Sequence, residues 1–145
     1  MSYEGNRGSV FLEDARIVSQ QAWAGQQFVL RVHAPRAAQR AVPGSFAHIT
    51  CDPSVPMRRP LSIMRADADA GWIEFLYKPK GPGLETLSAR RPGETLSMLA
   101  PIGHGFSVDP ERPRLLALGG GVGIPPMIFL ADQVRARPEL KPLVL

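Results

Sequence analysis

The chain has 145 residues, a 44% apolar and 21% charged composition, and a formal net charge of +4. That is enough for one complete domain with a core, or one domain and part of a second, in an ordinary globular protein. No apolar run reaches the roughly 18 residues of a membrane span, and the start, MSYEGNRGSVFLED, carries no apolar leader segment, so the expected location is the cytoplasm. The single cysteine, Cys51, excludes an internal disulfide framework and a complete cysteine-ligated zinc or iron–sulfur site within this chain. Lysines and arginines are scattered, with doublets only at Arg58-Arg59 and Arg90-Arg91 and no interleaved aromatics, so nucleic acid is not an expected partner. A small anionic ligand is equally compatible with the positive balance.

In chain order, the first hundred residues read as strands between turns. SVFLEDARIVSQ is rich in β-favouring apolar positions. QQFVLRVHA alternates, with Phe28, Leu30 and Val32 on one face and Val29, Arg31 and His33 on the other. SFAHITC follows the turn VPGS. RPLSIMRA and GWIEFLYK are joined by DADAG, a plausible hairpin connection, and Ile73, Phe75 and Tyr77 share one face of the second strand. GLETLSARR reads as a short helix closed by PGE. Five or six strands at this spacing predict a small antiparallel barrel over residues 1–108.

The pattern changes at DPERP, residues 109–113, a polar linker. RLLAL is a short apolar strand, GGGVG a glycine turn, and PPMIFLADQVRAR a helix whose Met127, Leu130, Ala131 and Val134 share a face. KPLVL starts another strand. Strand, turn, helix and strand are the opening βαβ unit of a parallel α/β domain, assigned here to residues 109–145.

Three stretches carry possible chemistry. Gly119, Gly120, Gly121 and Gly123 let the backbone approach a ligand, and the following helix end would direct free N–H groups at an anion. The pattern is not G-x-G-x-x-G, because Pro126 takes the third place, and a tight turn without a ligand remains the plain alternative. In MRRPLSI, Arg59 and Ser62 would bring a guanidinium and a hydroxyl to one cleft, or be a solvated edge residue and an ordinary strand residue. YKPKGPGLETLS either supplies backbone donors to a phosphate or ring, or simply joins a strand to a helix. His33, His48 and His104 lack metal-ligand spacing, Cys51 has no visible base partner, and no hydrolase motif is present.

Taken together and in order, RRPLSI, LYKPKGPGLETLS, LAPIGHGF and LLALGGGVGIPPM resemble the ferredoxin–NADP reductase superfamily. Within it, the sequence is similar to the electron-transfer subunits of type B dihydroorotate dehydrogenases, from about Val10 to the last residue. The resemblance implies an FAD-binding barrel followed by a nucleotide-binding α/β domain. Arg59, Pro60, Leu61 and Ser62 match the flavin motif, with Arg59 on the FAD pyrophosphate and Ser62 near the flavin N5. Leu76, Tyr77 and Lys78 match the next FAD-contacting strand. Gly83 and Leu84 match the loop over the FAD phosphates, where Leu84 replaces a threonine. Gly119, Gly120, Gly121 and Gly123 would line the nicotinamide-nucleotide cleft. Ser45, Ala100 and His104 also depart from the family pattern, and LAPIGHGF is read as structural, joining the domains.

The family passes electrons between FAD, a 2Fe–2S cluster and NAD, together with a catalytic dehydrogenase subunit in pyrimidine biosynthesis. The cluster's cysteine ligands are absent from this sequence, so the chain is expected to be a fragment of a longer protein. Two other functions stay open: the reductase subunit of a sulfite reductase or hydrogenase, and a non-catalytic barrel that docks a partner.

Overall fold

The computed structural model describes residues 8–144, with side chains through residue 140. Residues 1–7, at the start of the expected barrel domain, and Leu145, at the end of KPLVL, lie outside the described residues. Six antiparallel strands close into a barrel in the order β1-β2-β5-β4-β3-β6, with β6 returning to β1. They are β1 (Phe11–Trp23), β2 (Gln27–His33), β3 (Phe46–Ile49), β4 (Arg59–Asp67), β5 (Trp72–Tyr77) and β6 (Thr95–Ile102). Closure depends on the length of β1. Its first half pairs with β6 and its second half with β2, and the register shifts between Ile17 and Ser19. At that bulge Ile17 exchanges backbone hydrogen bonds with the Gly93–Glu94 turn, 2.8 and 2.9 Å long, in place of a ladder pair.

The alternation seen in the sequence sorts the side chains. Leu30 and Val32 on β2, Ile73 and Phe75 on β5, and Leu96 and Met98 on β6 fill the interior, with Ile17, Ile49 and Ile63 from the facing strands. Cys51 is part of the same core. Leu87 of helix α2 (Pro82–Ser88) is also fully buried there. In the hairpin, the carboxylate of Asp67 accepts the N–H groups of Asp69 and Ala70 and shapes the turn between β4 and β5.

A short helix, α1 (Pro35–Ala38), was not expected from the sequence. Glu13 on β1 accepts the N–H groups of Arg36 and Ala37, capping a helix that has no cap of its own. This seats Ala37 and Ala38 in the barrel core.

Beyond the barrel, β7 (Arg114–Ala117) pairs in parallel with β8 (Lys141–Val144), and α3 (Ile124–Arg135) connects them. Leu130 and Val134 on α3 pack with Leu140 to form a small second core, joined by Val108, Leu115 and Met127. Phe129, from another side of α3, is buried in the barrel core. Arg65 on β4 donates to Asp132 on α3 at 2.7 Å across the same contact. Helix α3 therefore faces two ways, which the single face read from the sequence did not include. The consequence is positional: it sets the glycine turn beside β4 and β5.

Candidate functional site

A cavity of about 590 Å³ lies where the barrel, the start of α2 and the glycine turn meet. One wall is β4 and β5: Pro60, Leu61, Ser62, Leu76, Tyr77 and Lys78. Leu84 of α2, Lys80 and Gln27 form its edge, and Gly121, Val122, Ile124 and Pro125 stand opposite. Stretches some 60 residues apart in the sequence, the β4 motif and the glycine turn, thus share one cleft. Gln27, Lys80, Val122, Ile124 and Pro125 were not singled out from the sequence. Lys80 lies within YKPKGPGLETLS and Val122, Ile124 and Pro125 within LLALGGGVGIPPM, stretches that were, whereas Gln27 carried no such signal.

The two arginines of the Arg58-Arg59 doublet do different things. Arg58 donates to the carbonyl and hydroxyl of Ser97, both at 2.9 Å, and ties the loop before β4 to β6. Arg59 makes only a long 3.4 Å contact to the carbonyl of Met57. It has no carboxylate partner among the described residues, and neither Lys78 nor Lys80 has one.

Arg59 lies instead against the first turn of α2. A Cβ placed on Gly83 would stand 2.6 Å from Arg59 Nε, so the absence of a side chain at Gly83 is what admits the guanidinium. Among the described residues, the N–H groups of Gly83 and Leu84 have no backbone acceptor, because the first helical bond is Glu85 N–H to the Gly81 carbonyl. A guanidinium beside unpaired helix N–H groups places positive potential against positive potential. An anion between them relieves it. Leu84 packs its side chain on the barrel core and offers the cavity an apolar surface.

Tyr77 supplies a ring wall. It stacks on Phe28 with centroids 5.6 Å apart, and its hydroxyl donates to Gln20 Oε1 at 2.8 Å. Burial pushes its ionisation well above the ordinary tyrosine range, and the nearby Cys51 adds to this, so the group stays protonated. Burial also raises the Cys51 thiol, partly offset by the Arg59 cation. A buried, protonated thiol is a packing group rather than a nucleophile.

The glycine turn differs from the sequence expectation in one respect. Helix α3 was expected to direct free N–H groups at a ligand. The N–H of Gly123 is bonded to the Gly120 carbonyl and that of Ile124 to the Gly121 carbonyl, within a 3-10 turn over Gly121–Gly123. Pro125 and Pro126 have no N–H to offer. The start of α3 is therefore an apolar wall that offers no free N–H at Gly123, Ile124, Pro125 or Pro126. Of the four glycines, only Gly121, with φ +57°, lines the cavity. Gly119 is a packing glycine: a Cβ there would lie 3.1 Å from Met127 Cγ and 3.2 Å from Ile124 Cα. Gly120 and Gly123 have open space where a Cβ would stand.

No family model matches the chain. It is 37% identical over 131 residues to the dihydroorotate dehydrogenase B (NAD(+)) electron transfer subunit of Geobacillus thermodenitrificans (strain NG80-2), covering 86% of this chain and 50% of that protein. The corresponding subunit of Lysinibacillus sphaericus (strain C3-41) is 37% identical over 129 residues, with the same coverage of 86% and 50%. Solved structures agree on the fold. A NADH-dependent reduced ferredoxin-NADP oxidoreductase superposes with a TM-score of 0.80 at 23% identity, over 91% of this chain and 46% of that one. The chain thus shares the fold of ferredoxin-NADP oxidoreductases. The ferredoxin reductase of carbazole 1,9a-dioxygenase, another neighbour, also has a TM-score of 0.80, at 21% identity and over 93% of this chain and 42% of its own.

The chain spans about half the length of the curated relatives it matches. Among the described residues, no group of three metal-ligating side chains is present, and no helix is long and apolar enough to cross a membrane.

Proposed function

We propose that this chain holds FAD in the cavity between its barrel and its glycine turn, as part of an electron-transfer subunit that links a partner dehydrogenase to a nicotinamide dinucleotide. The observation that carries the reading is an uncompensated positive patch beside the cavity. Arg59 and Gly83 do not line the cavity themselves, but Arg59 is seated on Gly83, next in sequence to the lining residues Pro60 and Leu84, and Lys78 and Lys80 are part of the lining. This donor set suits a pyrophosphate, which takes bidentate bonds from a guanidinium and backbone bonds from a helix start.

The other residues fit the flavin ring. Tyr77, Leu61 and Leu76 give a flat, largely apolar wall, and Ser62 gives one hydroxyl for a ring nitrogen. The tyrosine hydroxyl is already engaged, so the ring acts through contact and not through proton transfer. When bound, FAD supplies the redox chemistry, taking up a pair of electrons from one partner and passing them to another. The protein orients the ring, neutralises the phosphates and keeps water from the buried face. Across the cavity, Val122, Ile124 and Pro125 offer an apolar surface for a nicotinamide ring, with backbone donors left to Gly121 and its neighbours in the turn. The chain's own residues do not fit a 2Fe–2S cluster, since its one cysteine is buried in the barrel core.

We assign the residues up to 108 to the flavin-binding domain and those from 109 to the start of a nucleotide-binding domain. The similarity to dihydroorotate dehydrogenase B subunits supports a catalytic dihydroorotate dehydrogenase as the partner, in pyrimidine biosynthesis and in the cytoplasm. The test is anaerobic reduction of the FAD-loaded chain by NADH and, mixed with a catalytic dihydroorotate dehydrogenase subunit, by dihydroorotate. Bleaching by dihydroorotate only in the presence of that subunit is expected. A flavin inert to both donors contradicts the electron-transfer role.

A further inference from the structure

Gln20, on β1, does not line the cavity, yet it bonds to one lining residue, Tyr77, and to the far end of α2, the helix that carries another, Leu84. Its side-chain nitrogen lies 2.8 Å from the carbonyl of Leu87, 2.9 Å from that of Arg90 and 3.3 Å from that of Ser88. These carbonyls belong to the end of α2 and the turn just after it, where a helix leaves acceptors without partners. Its oxygen accepts the hydroxyl of Tyr77 at 2.8 Å. The amide cannot be reversed without setting its oxygen against those carbonyls, so donor and acceptor ends are fixed by their surroundings.

Helix α2 has seven residues. A helix so short is not stable by itself in water, and at about 1.5 Å rise per residue it is a rod of roughly 10 Å. What holds its far end sets where its near end stands. The near end carries Gly83 and Leu84, against which Arg59 rests.

We propose that Gln20 is a positioning residue for the flavin site. It clamps the C-terminal end of α2 and the Tyr77 hydroxyl with one side chain, and so fixes the phosphate cradle relative to the ring wall. A flavin dinucleotide must meet both at once, whereas riboflavin meets only the ring wall. This inference rests on the FAD reading above, and its test separates the two.

The experiment compares the wild-type 145-residue chain with Gln20→Leu, Gln20→Glu and Tyr77→Phe. Two quantities are read: FAD and riboflavin affinity by flavin fluorescence, and backbone amide exchange of the ligand-free chain by mass spectrometry. For Gln20→Leu, FAD affinity is expected to fall about tenfold, equivalent to the net worth of one or two hydrogen bonds, with a smaller change for riboflavin. Exchange is expected to quicken in residues 82–90 and not in the barrel strands. Gln20→Glu keeps the acceptor for Tyr77 but sets a carboxylate against three carbonyls, so it should behave like the leucine variant. Tyr77→Phe leaves the α2 clamp intact and should leave exchange in 82–90 unchanged.

Unchanged exchange in 82–90 for Gln20→Leu overturns the inference. So does faster exchange spread across the barrel, which marks general destabilisation. An equal loss of FAD and riboflavin affinity, or no loss of either, overturns it too. If the wild-type chain binds no FAD, it is the functional reading that fails, and the exchange measurement alone decides whether Gln20 clamps α2.

Discussion

The barrel and the βαβ unit behind it solve the same problem to different degrees. The barrel closes on itself, so its six strands leave no open edge, and its core draws on every strand and on all three helices. The βαβ unit has two parallel strands and a small core of Leu130, Val134 and Leu140, while Leu116, Leu118 and Val122 stay exposed. A parallel sheet normally has both faces covered. The difference teaches where the site's stability comes from. The cavity wall formed by β4 and β5 belongs to the closed barrel, and the opposite wall is held largely by the contact of α3 with β4.

The largest expected effect tests that division. Phe75→Ala empties the centre of the barrel and should cost about 3–5 kcal/mol, lowering the main thermal transition. Val134→Ala should speed amide exchange in α3 while leaving that transition near its wild-type temperature. Equal loss of the main transition in both variants would show that the two regions fold as one.

Next in size is the charge at the cavity. Arg59→Ala should weaken FAD binding by about 1.5–3 kcal/mol, the range for hydrogen bonds to charged groups, with little change in melting temperature. Arg59→Lys should recover only part of this, because an ammonium lacks the bidentate fork. Isothermal titration of both variants checks it. Gly83→Ala should act in the same direction, since its Cβ displaces the Arg59 side chain.

A pH effect follows from the raised ionisation of Tyr77 and Cys51, both caused first by burial. For each group, the folded state keeps its proton at a pH where the unfolded chain has lost it. The stability is fully present below the ordinary values, ~10 for tyrosine and ~8.5 for cysteine, and is lost as pH rises beyond them. Denaturant melts between pH 7 and alkaline pH should decline, and the double variant Tyr77→Phe, Cys51→Ala should flatten that decline. The smallest effect concerns the join between the regions. Arg65 and Asp132 are both partly exposed, so breaking their pair should cost about 0–1 kcal/mol, visible as faster exchange in α3 alone.

The strands of the barrel were legible because Phe28, Leu30 and Val32, and again Ile73, Phe75 and Tyr77, alternate in the sequence as they do in the structure. The β4 motif and the glycine turn were legible as short patterns, and their order along the chain carried the resemblance. What escaped depends on contacts distant in sequence. Helix α1 is capped by Glu13, 23 and 24 residues away, and no local signal announces it. Gln20 gains its role from partners 57 to 70 residues distant. The loss of free donors at α3 was readable in principle from Pro125 and Pro126, but the 3-10 turn that takes up the Gly123 and Ile124 N–H groups was not.

If the cavity between barrel and glycine turn takes FAD with the help of Arg59 and the start of α2, the purified chain must bind FAD and lose affinity without that arginine. Titrating FAD into the purified chain while following its visible absorption tests this most directly, with Arg59→Ala as the paired variant. Saturable one-to-one binding with a perturbed flavin spectrum is expected, clearly weakened in the variant. A spectrum identical to that of free FAD in the presence of excess protein, or equal binding by the wild type and the variant, would contradict it.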